Sequence, residues 1–484
     1  MTSLTPRLQL FSDTEVHTIV QQAMAVLGHV GVLVEHAEGR ELLLEHGAQL
    51  RAGRVILPEA LVRGALATAP ATVTLFDRAG APAMVLGTGR THFDPGSAAL
   101  HLLDPATQRR REVTTADAVA LARLVDGLPS YHAQSTAIAP GDVPREVCDR
   151  YRLYLALRYA VKPVVTGTFV KQGFAPMRAM LAAIRGGEQA LRDKPLAIFD
   201  CCPSPPLSWS DLTCDALLGC ARAGIPAQLI SMPLAGATAP VTLRECVVQH
   251  CAECISGVTL HQLASPGAPI IYGGCPSSFD MRHGTTTIGA MQTAMIDVGY
   301  AQVGKHLGLP VQAYMALSDA KVPDYQAGME SGIGAVLATL AGIDLVSGPG
   351  ILDFILTQSM EKLLLDHEAC TQALRLQAGM ATHETDLLGL FGALVDKGSL
   401  LAHPHTRQHW RSELGVASPV LDRGSYGDWE LGGGLWAHDR AAQQVTRRLA
   451  KDRVPSLDPT IAAALDELML AELRACGVSA LPQT

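Results

Sequence analysis

Three carboxylates and a side-chain amide crowd one short segment, Ser318–Glu330: Asp319, Asp324, Gln326 and Glu330. The segment follows an apolar run that reads as a strand. Gln326 and Glu330 stand four apart, which places them on one face of a helix. Carboxylates in such a place can hold a cation, move a proton or cap the following helix; for Asp324 the N-cap is the plain alternative. Four aromatic residues, Tyr272, Phe279, Tyr314 and Tyr325, stand on or beside neighbouring strand ends. Aromatics together with carboxylates hold quaternary ammonium groups, each cation–π contact contributing about 0.5–2 kcal/mol. Only 5% of the chain is aromatic, so four beside such loops point to a cation cage. The competing explanation is that tyrosines commonly span core and surface.

These residues need a scaffold, and the pattern supplies one. From about Tyr131 to Gly379 short apolar, β-rich runs alternate with longer stretches whose apolar residues recur at spacings of three and four. Strands are expected at His132–Ile138, Pro163–Phe169, Leu196–Cys201, Ala227–Met232, Pro269–Tyr272, Val311–Ala316 and Asp344–Ser347, with an eighth near Leu400–His403. Strands alternating with helices predict parallel βαβ units. The expected fold is α/β, a TIM (β/α)8 barrel, with a doubly wound open sheet as the alternative. No G-x-G-x-x-G stands at a strand-to-helix junction, which removes the usual dinucleotide argument. The organisation predicted is an N-terminal α+β extension over residues 1–130, a barrel core over 131–380, and the end of the barrel with a C-terminal helical region over 381–484.

Barrel chemistry sits at the C-terminal ends of the strands. The segments there are rich in Gly, Pro and hydroxyl residues: Asp200–Ser204, Met232–Thr238, Tyr272–Arg282, Ser318–Gln326 and Ser347–Gly350. Any one of them is an ordinary turn. Five in succession suggest a backbone that a ligand approaches closely, with Gly273, Gly274, Ser347, Gly348 and Gly350 as the candidates.

Composition narrows the class. The 484 residues are 48% hydrophobic and 17% charged, which fits a large buried core. The formal net charge is −8, and the longest basic run is Arg109-Arg110-Arg111, so nucleic acid is not expected as a partner. Met1–Phe11 lacks the pattern of a signal peptide, and no apolar stretch reaches the roughly 20 residues of a membrane span. Eleven scattered cysteines suit free thiols in a reducing compartment, so a cytoplasmic location is expected.

Two clusters suggest metal and are weighed against it. Cys246, His250 and Cys254 share a helical face, but an inward helix face usually buries Cys as a small apolar residue. His403-Pro404-His405 has the His-x-His form of metal-dependent barrel hydrolases, but lies past the last core helices. Cys201 and Cys202 adjoin a strand end without an identifiable His partner, and are read as lining residues. No tightly bound metal is expected.

Several longer motifs carry a resemblance. They are Gly31-Val32-Leu33-Val34-Glu35-His36, Glu45-His46-Gly47-Ala48, Gly273-Gly274-Cys275-Pro276-Ser277-Ser278-Phe279-Asp280-Met281-Arg282, Ser318-Asp319-Ala320-Lys321 with Asp324-Tyr325-Gln326-Ala327-Gly328-Met329-Glu330, Ser347-Gly348-Pro349-Gly350 and Leu365-Asp366-His367-Glu368. In these the chain resembles, nearly end to end, the trimethylamine methyltransferase family, and in particular its pyrrolysine-lacking, glycine betaine methyltransferase-like members.

The resemblance implies a barrel and the transfer of a methyl group from an amine to the Co(I) of a corrinoid carried by a partner protein. It also implies a homo-oligomer. The chain contains only the twenty standard residues, so no pyrrolysine is present. Methyl transfer to Co(I) then depends on the leaving group. A tertiary amine would have to leave as an amide anion, whereas a quaternary ammonium leaves as a neutral amine and needs no covalent helper. Position, desolvation and a cage that tolerates the charge suffice. The implied substrates are glycine betaine, carnitine, proline betaine or similar compounds. On this reading Tyr272, Phe279, Tyr314 and Tyr325 form the cage, Asp319, Asp324, Gln326 and Glu330 orient the substrate or balance its charge, and Arg282 or His283 receives its carboxylate. The readings kept beside it are a metal-dependent hydrolase using His403 and His405, and a betaine-binding relative without catalysis.

Overall fold

The computed structural model describes residues 6–415, 418–451 and 454–482. The fold is a mixed α/β one. Its central strands are short, rich in Val, Ile and Ala, and buried on both faces, as parallel strands covered by helices must be. Five of them, Gln134–Ser135, Val164–Gly167, Ala197–Cys201, Ala227–Leu229 and Ile270–Ile271, pair parallel in that order. A further parallel set joins Gln312–Ala313, Leu345–Ser347 and His92–Asp94. Parallel bridges between Tyr272 and Val311, and between Phe93 and Tyr131, connect the two sets at both edges. Between consecutive strands runs a helix, such as Cys148–Tyr159, Leu243–Ala264, Met291–His306 or Tyr325–Ala341.

The strand expected at Leu400–His403 is absent. That stretch is a turn leading into the helix Pro404–Glu413, with His403 as its N-cap and Pro404 at the first helical position, where a missing N–H costs nothing. The strand that pairs with Leu345–Ser347 instead lies far upstream, at His92–Asp94.

Side chains alternate along each strand, so a register fixes a face. Ala133, Val165, Ile198, Ile271 and Leu345 share one face and form a cluster with Val73, Leu75, Met84 and Leu86. The latter four come from the antiparallel hairpin Val73–Phe76 and Pro82–Leu86. This hairpin packs its apolar face against the N-terminal part of the strands. Burying each such aliphatic side chain contributes about 1.5–3 kcal/mol. The opposite, C-terminal ends carry polar side chains. Two residues further along the same face come Gly167, Asp200 and Ser347.

The C-terminal helices Ala437–Lys451 and Pro459–Ala475 bury apolar residues, among them Val445, Leu465 and Met469. The intervening helices Leu387–Lys397, Pro404–Glu413 and Tyr426–Leu431 bury none. Among the described residues no helix is long and apolar enough to cross a membrane.

Candidate active site

At the C-terminal ends of the parallel strands the inward positions change from apolar to polar. Asp94 pairs in register with Ser347, whose hydroxyl donates to its Oδ1 at 2.8 Å. Asp200 pairs in register with Gln228, whose Nε2 donates to its Oδ1 at 2.8 Å. Tyr314 extends from the next strand but two, and its hydroxyl donates to the Ser97 carbonyl at 3.2 Å. Gln312 accepts from the Gly274 N–H at 3.2 Å. The strand pairings explain how residues so far apart in sequence meet: one layer of the parallel set projects them all to the same side.

The electrostatics of this layer are unusual. Burial drives the carboxyl of Asp94 well above the ordinary range; the Ser347 hydrogen bond opposes the shift and the charge of Asp200 adds to it. Asp200 is walled in by its neighbours yet keeps some solvent access. Burial pushes its carboxyl up to about 7, against the pull of Gln228, Arg152 and Tyr314. Burial also holds the Tyr314 phenol well above its usual range. Several atoms have no hydrogen-bond partner among the described residues: Asp94 Oδ2, Gln228 Oε1, Gln312 Nε2 and Gln358 Nε2. Buried polar groups left unpaired each cost about 1–3 kcal/mol, so a cluster of them marks a place where a ligand supplies the missing partners.

A second group adjoins it. Glu330 Oε2 accepts from the Ser318 hydroxyl at 2.5 Å and from the Asp319 N–H at 2.9 Å, while its Oε1 accepts from Gln326 at 2.9 Å. Asp319 accepts from the Ile288 and Gly289 N–H groups at 3.2 and 3.0 Å. Burial lifts Asp319 to about 6, the two N–H groups hold it down and Glu330 pushes it further up. Tyr314 and Glu330 both line a pocket of about 150 Å³ between the helices Met291–His306 and Tyr325–Ala341. At its base Asp297 is buried, with Oδ1 unpartnered.

The residues singled out in the sequence divide accordingly. Asp319, Gln326, Glu330, Tyr314 and Ser347 lie in these two groups. Asp324 caps the helix Tyr325–Ala341, accepting from the Ala327 N–H at 3.1 Å. Tyr325 is 84% exposed. Tyr272 is fully buried on the outer side of its strand, against the rings of His250 and Tyr300 at 5.3 and 6.2 Å. Phe279 lies on the hairpin Ser277–Asp280 with Thr285–Thr287, half-buried. The four aromatics therefore do not assemble around one point, and Tyr314 alone joins the carboxylates. Arg282 reaches solvent and is taken by Asp280 at 2.9 Å, which also holds His283 at 3.2 Å.

The glycines serve contacts within the chain. A Cβ on Gly273 would stand 2.5 Å from Gln312 Oε1, one on Gly274 2.3 Å from His250 Nε2, and one on Gly350 2.1 Å from Gln358 Oε1. One on Gly348 would meet the Met315 carbonyl at 1.9 Å. Gly273 and Gly350 thereby let two of the site's glutamines lie flat against the backbone.

The ring of His250 is engaged within the chain: Nε2 bonds the Gly273 carbonyl at 3.1 Å, Nδ1 the Tyr272 hydroxyl at 3.3 Å, the Cys254 thiol lies 3.8 Å from Nε2, and burial lowers its basicity to about 3. His403 Nδ1 accepts from the His405 N–H at 3.2 Å and so ties up its own helix start. Cys201 is buried and Cys202 half-buried, both raised well above the usual thiol range, Cys201 first by the Cys220 thiol and Cys202 by burial. Among the described residues no group of three or more His, Cys, Asp or Glu is placed to hold a metal.

Sequence reasoning missed Asp94, Gln228, Gln312 and Gln358. The legible signal was a lone polar residue inside an apolar strand, as in Ala227-Gln228-Leu229 and Val311-Gln312-Ala313. Asp94 ends a strand of only three residues, too short to show alternation.

Comparison with known proteins agrees with the motifs. Residues 1–474 match the family described as trimethylamine methyltransferase. A trimethylamine methyltransferase MttB of Desulfitobacterium hafniense is 29% identical, covering 96% of this chain and 92% of its own. A glycine betaine methyltransferase of the same species is 29% identical, covering 96% and 97%. A trimethylamine methyltransferase MttB of Methanosarcina barkeri is 30% identical, covering 94% and 93%. Among solved structures, the monomethylamine methyltransferase MtmB of Methanosarcina barkeri aligns with 94% of this chain and 97% of its own at a TM-score of 0.47 and 10% identity. By the extent of the family match, this chain belongs to the trimethylamine methyltransferase family.

Proposed function

We propose that this protein moves a methyl group from a quaternary amine to the Co(I) of a corrinoid held by a separate protein. The carrying observation is the pair Asp94, fully buried, and Asp200, half-buried, two carboxyls at inward positions with unpartnered atoms around them. Among the described residues neither forms an ion pair with a lysine, arginine or histidine. Burial holds both carboxyls toward their protonated forms, and a bound cation would favour the ionised ones, so the pair suits an ammonium ligand. The corrinoid, when present, supplies the nucleophile that accepts the methyl group. The chain supplies the rest. Asp94 and Asp200 balance the ammonium charge, Tyr314 offers an aromatic face, and Gln228, Gln312 and Gln358 fix orientation. Asp319 and Glu330, with Gln326, hold the adjoining wall. No proton need be delivered to the nitrogen, because a quaternary amine leaves neutral.

The parallel strands with their two linking bridges are best understood as a (β/α)8 barrel that begins at His92–Asp94 and runs to the helix Met360–Ala378. On that view residues 1–130 are an extension that also provides the first strand, 131–380 remain the core, and 381–484 form the helical end. The hairpin Val73–Leu86 stoppers the N-terminal end, leaving the C-terminal end for substrate. Apolar side chains are exposed around that end, among them Phe169, Met232, Met281 and Tyr325. A rim of this kind suits a macrocycle presented by a carrier protein. The helices between Leu387 and Leu431 expose Leu388, Phe391 and Leu431, which is consistent with assembly into a homo-oligomer. The eleven free cysteines accord with the cytoplasm.

Mixing the protein anoxically with cob(I)alamin and, separately, glycine betaine, carnitine, choline, proline betaine and trimethylamine tests the proposal. Loss of the Co(I) absorbance with one quaternary amine and not with trimethylamine is expected. Transfer from trimethylamine alone would overturn it.

A further inference from the structure

Arg152 is 4% exposed and, among the described residues, forms no ion pair with a carboxylate. It rises from the helix Cys148–Tyr159 and reaches past the end of the strand Gln134–Ser135, where Nη1 donates to the Thr136 carbonyl at 2.6 Å. Its guanidinium lies 4.1 Å from the centre of the Phe169 ring, at the end of the next strand. Its Nε is buried and unpartnered. The nearby acids are engaged elsewhere. Asp149 pairs with Arg150 at 2.9 Å and accepts from the Phe169 N–H at 2.8 Å, and Asp142 accepts from Thr115. Asp200 and Tyr314 feel the Arg152 charge, but neither is within ion-pair distance.

A guanidinium is costly to bury without an anion, and its planar fork matches a carboxylate. We propose that Arg152 receives a carboxylate of the substrate, so that the pocket takes a zwitterion whose anionic end lies within a few bonds of its quaternary nitrogen. The inference rests on the amine site argued above and adds the residue that selects for the carboxylate. The geometry is that of a dipole matched at both ends. Asp94 and Asp200 face the ammonium, and Arg152, reaching from its helix to Thr136 and Phe169 beside the neighbouring strand ends, faces the carboxylate. Arg282, exposed and held by Asp280, is not available for this task. Phe169, stacked on the guanidinium, keeps the fork from swinging out to solvent.

Binding measured by calorimetry on the purified full chain, without any corrinoid, tests this. The probes are glycine betaine, its carboxamide and tetramethylammonium. The wild type should bind glycine betaine about ten- to a hundredfold more tightly than the carboxamide, the range of a charge-assisted hydrogen-bonded pair. Arg152→Gln should abolish that preference and leave tetramethylammonium affinity within about threefold. Arg152→Lys should restore part of it. Equal loss for all three probes in Arg152→Gln would make Arg152 a structural residue and overturn the proposal. If Arg152→Gln does not fold, the wild-type comparison decides alone: a glycine betaine to carboxamide ratio near one overturns it. Tetramethylammonium binding without a carboxylate preference would sink this inference while leaving the amine site standing. Failure of every probe to bind would remove both.

Discussion

Asp94 gives one carboxylate oxygen to the Ser347 hydroxyl at 2.8 Å and leaves the other with no partner, in a place closed to solvent. One oxygen is thus spent on holding the strand pair and the other is free for a ligand. Asp94→Asn keeps the shape and the Ser347 contact and removes the carboxyl that a bound cation would draw into its ionised form. We expect affinity for tetramethylammonium to drop tenfold or more while the thermal midpoint stays level or rises, since a buried carboxyl is no longer needed. A large fall in the midpoint with unchanged affinity would make Asp94 a structural residue.

Asp200 sets a pH dependence. Its carboxyl, raised to about 7 by burial, keeps a proton that the unfolded chain releases near 3.8. Its contribution to stability is therefore present at low pH and is lost as pH rises between about 4 and 7. Cation binding runs the other way, because the ionised form attracts the ammonium. Affinity should climb as pH rises through about 7 and level off above it. Arg152, Tyr314 and Asp94 face the same group and remain in their prevailing forms. Asp200→Asn should flatten the profile between pH 6 and 8; a slope that survives the substitution assigns the titration elsewhere.

How much of this was legible beforehand follows from the kind of interaction involved. Seven of the eight strands in the two linked parallel sets could be read because Val164–Gly167 or Ala197–Cys201 are apolar runs bounded by turns, a local signal. His92–Asp94 could not, since its place is fixed only by pairing with Leu345–Ser347, more than two hundred residues away. The site divides in the same way. Asp319, Gln326 and Glu330 were visible because they are close in sequence. Asp94 and Asp200 are brought to one layer only through strand register, and Arg152 reaches it from a helix. Tyr272 misled because the residue type suited a cage, while its position on the strand turned it toward His250 and Tyr300.

Lys362 is buried, with Nζ 2.5 Å from Asp366 Oδ2 and 2.7 Å from the Ser331 hydroxyl. Asp366 in turn accepts from the Gly350 N–H at 2.7 Å, which anchors the loop carrying Gly350 against Gln358. Lys362→Met leaves Asp366 charged and alone in the interior. The cost should be about 3–5 kcal/mol in denaturant unfolding. Adding Asp366→Leu should recover part of it, because the stranded charge is gone. If the double variant is as unstable as the sum of its parts, the two residues are not coupled.

The exposed rim separates carrier recognition from chemistry. Met281 is 67% exposed, Met232 43%, and Met281 Cε would stand 3.0 Å from a Cβ on Gly236, so the two methionines flank one loop beside the strand ends. Replacing both with Ser should change stability by no more than about 0.5 kcal/mol each, as exposed substitutions usually do. Amine affinity and the rate with free cob(I)alamin should also be unchanged. With the corrinoid carried by its protein, KM for the carrier should rise several-fold at unchanged kcat, because apolar rim contacts form in docking and not in the methyl transfer itself. An equal loss of rate with free cobalamin and with the carrier would place these methionines in the chemistry, and an unchanged KM would move the docking surface away from this rim.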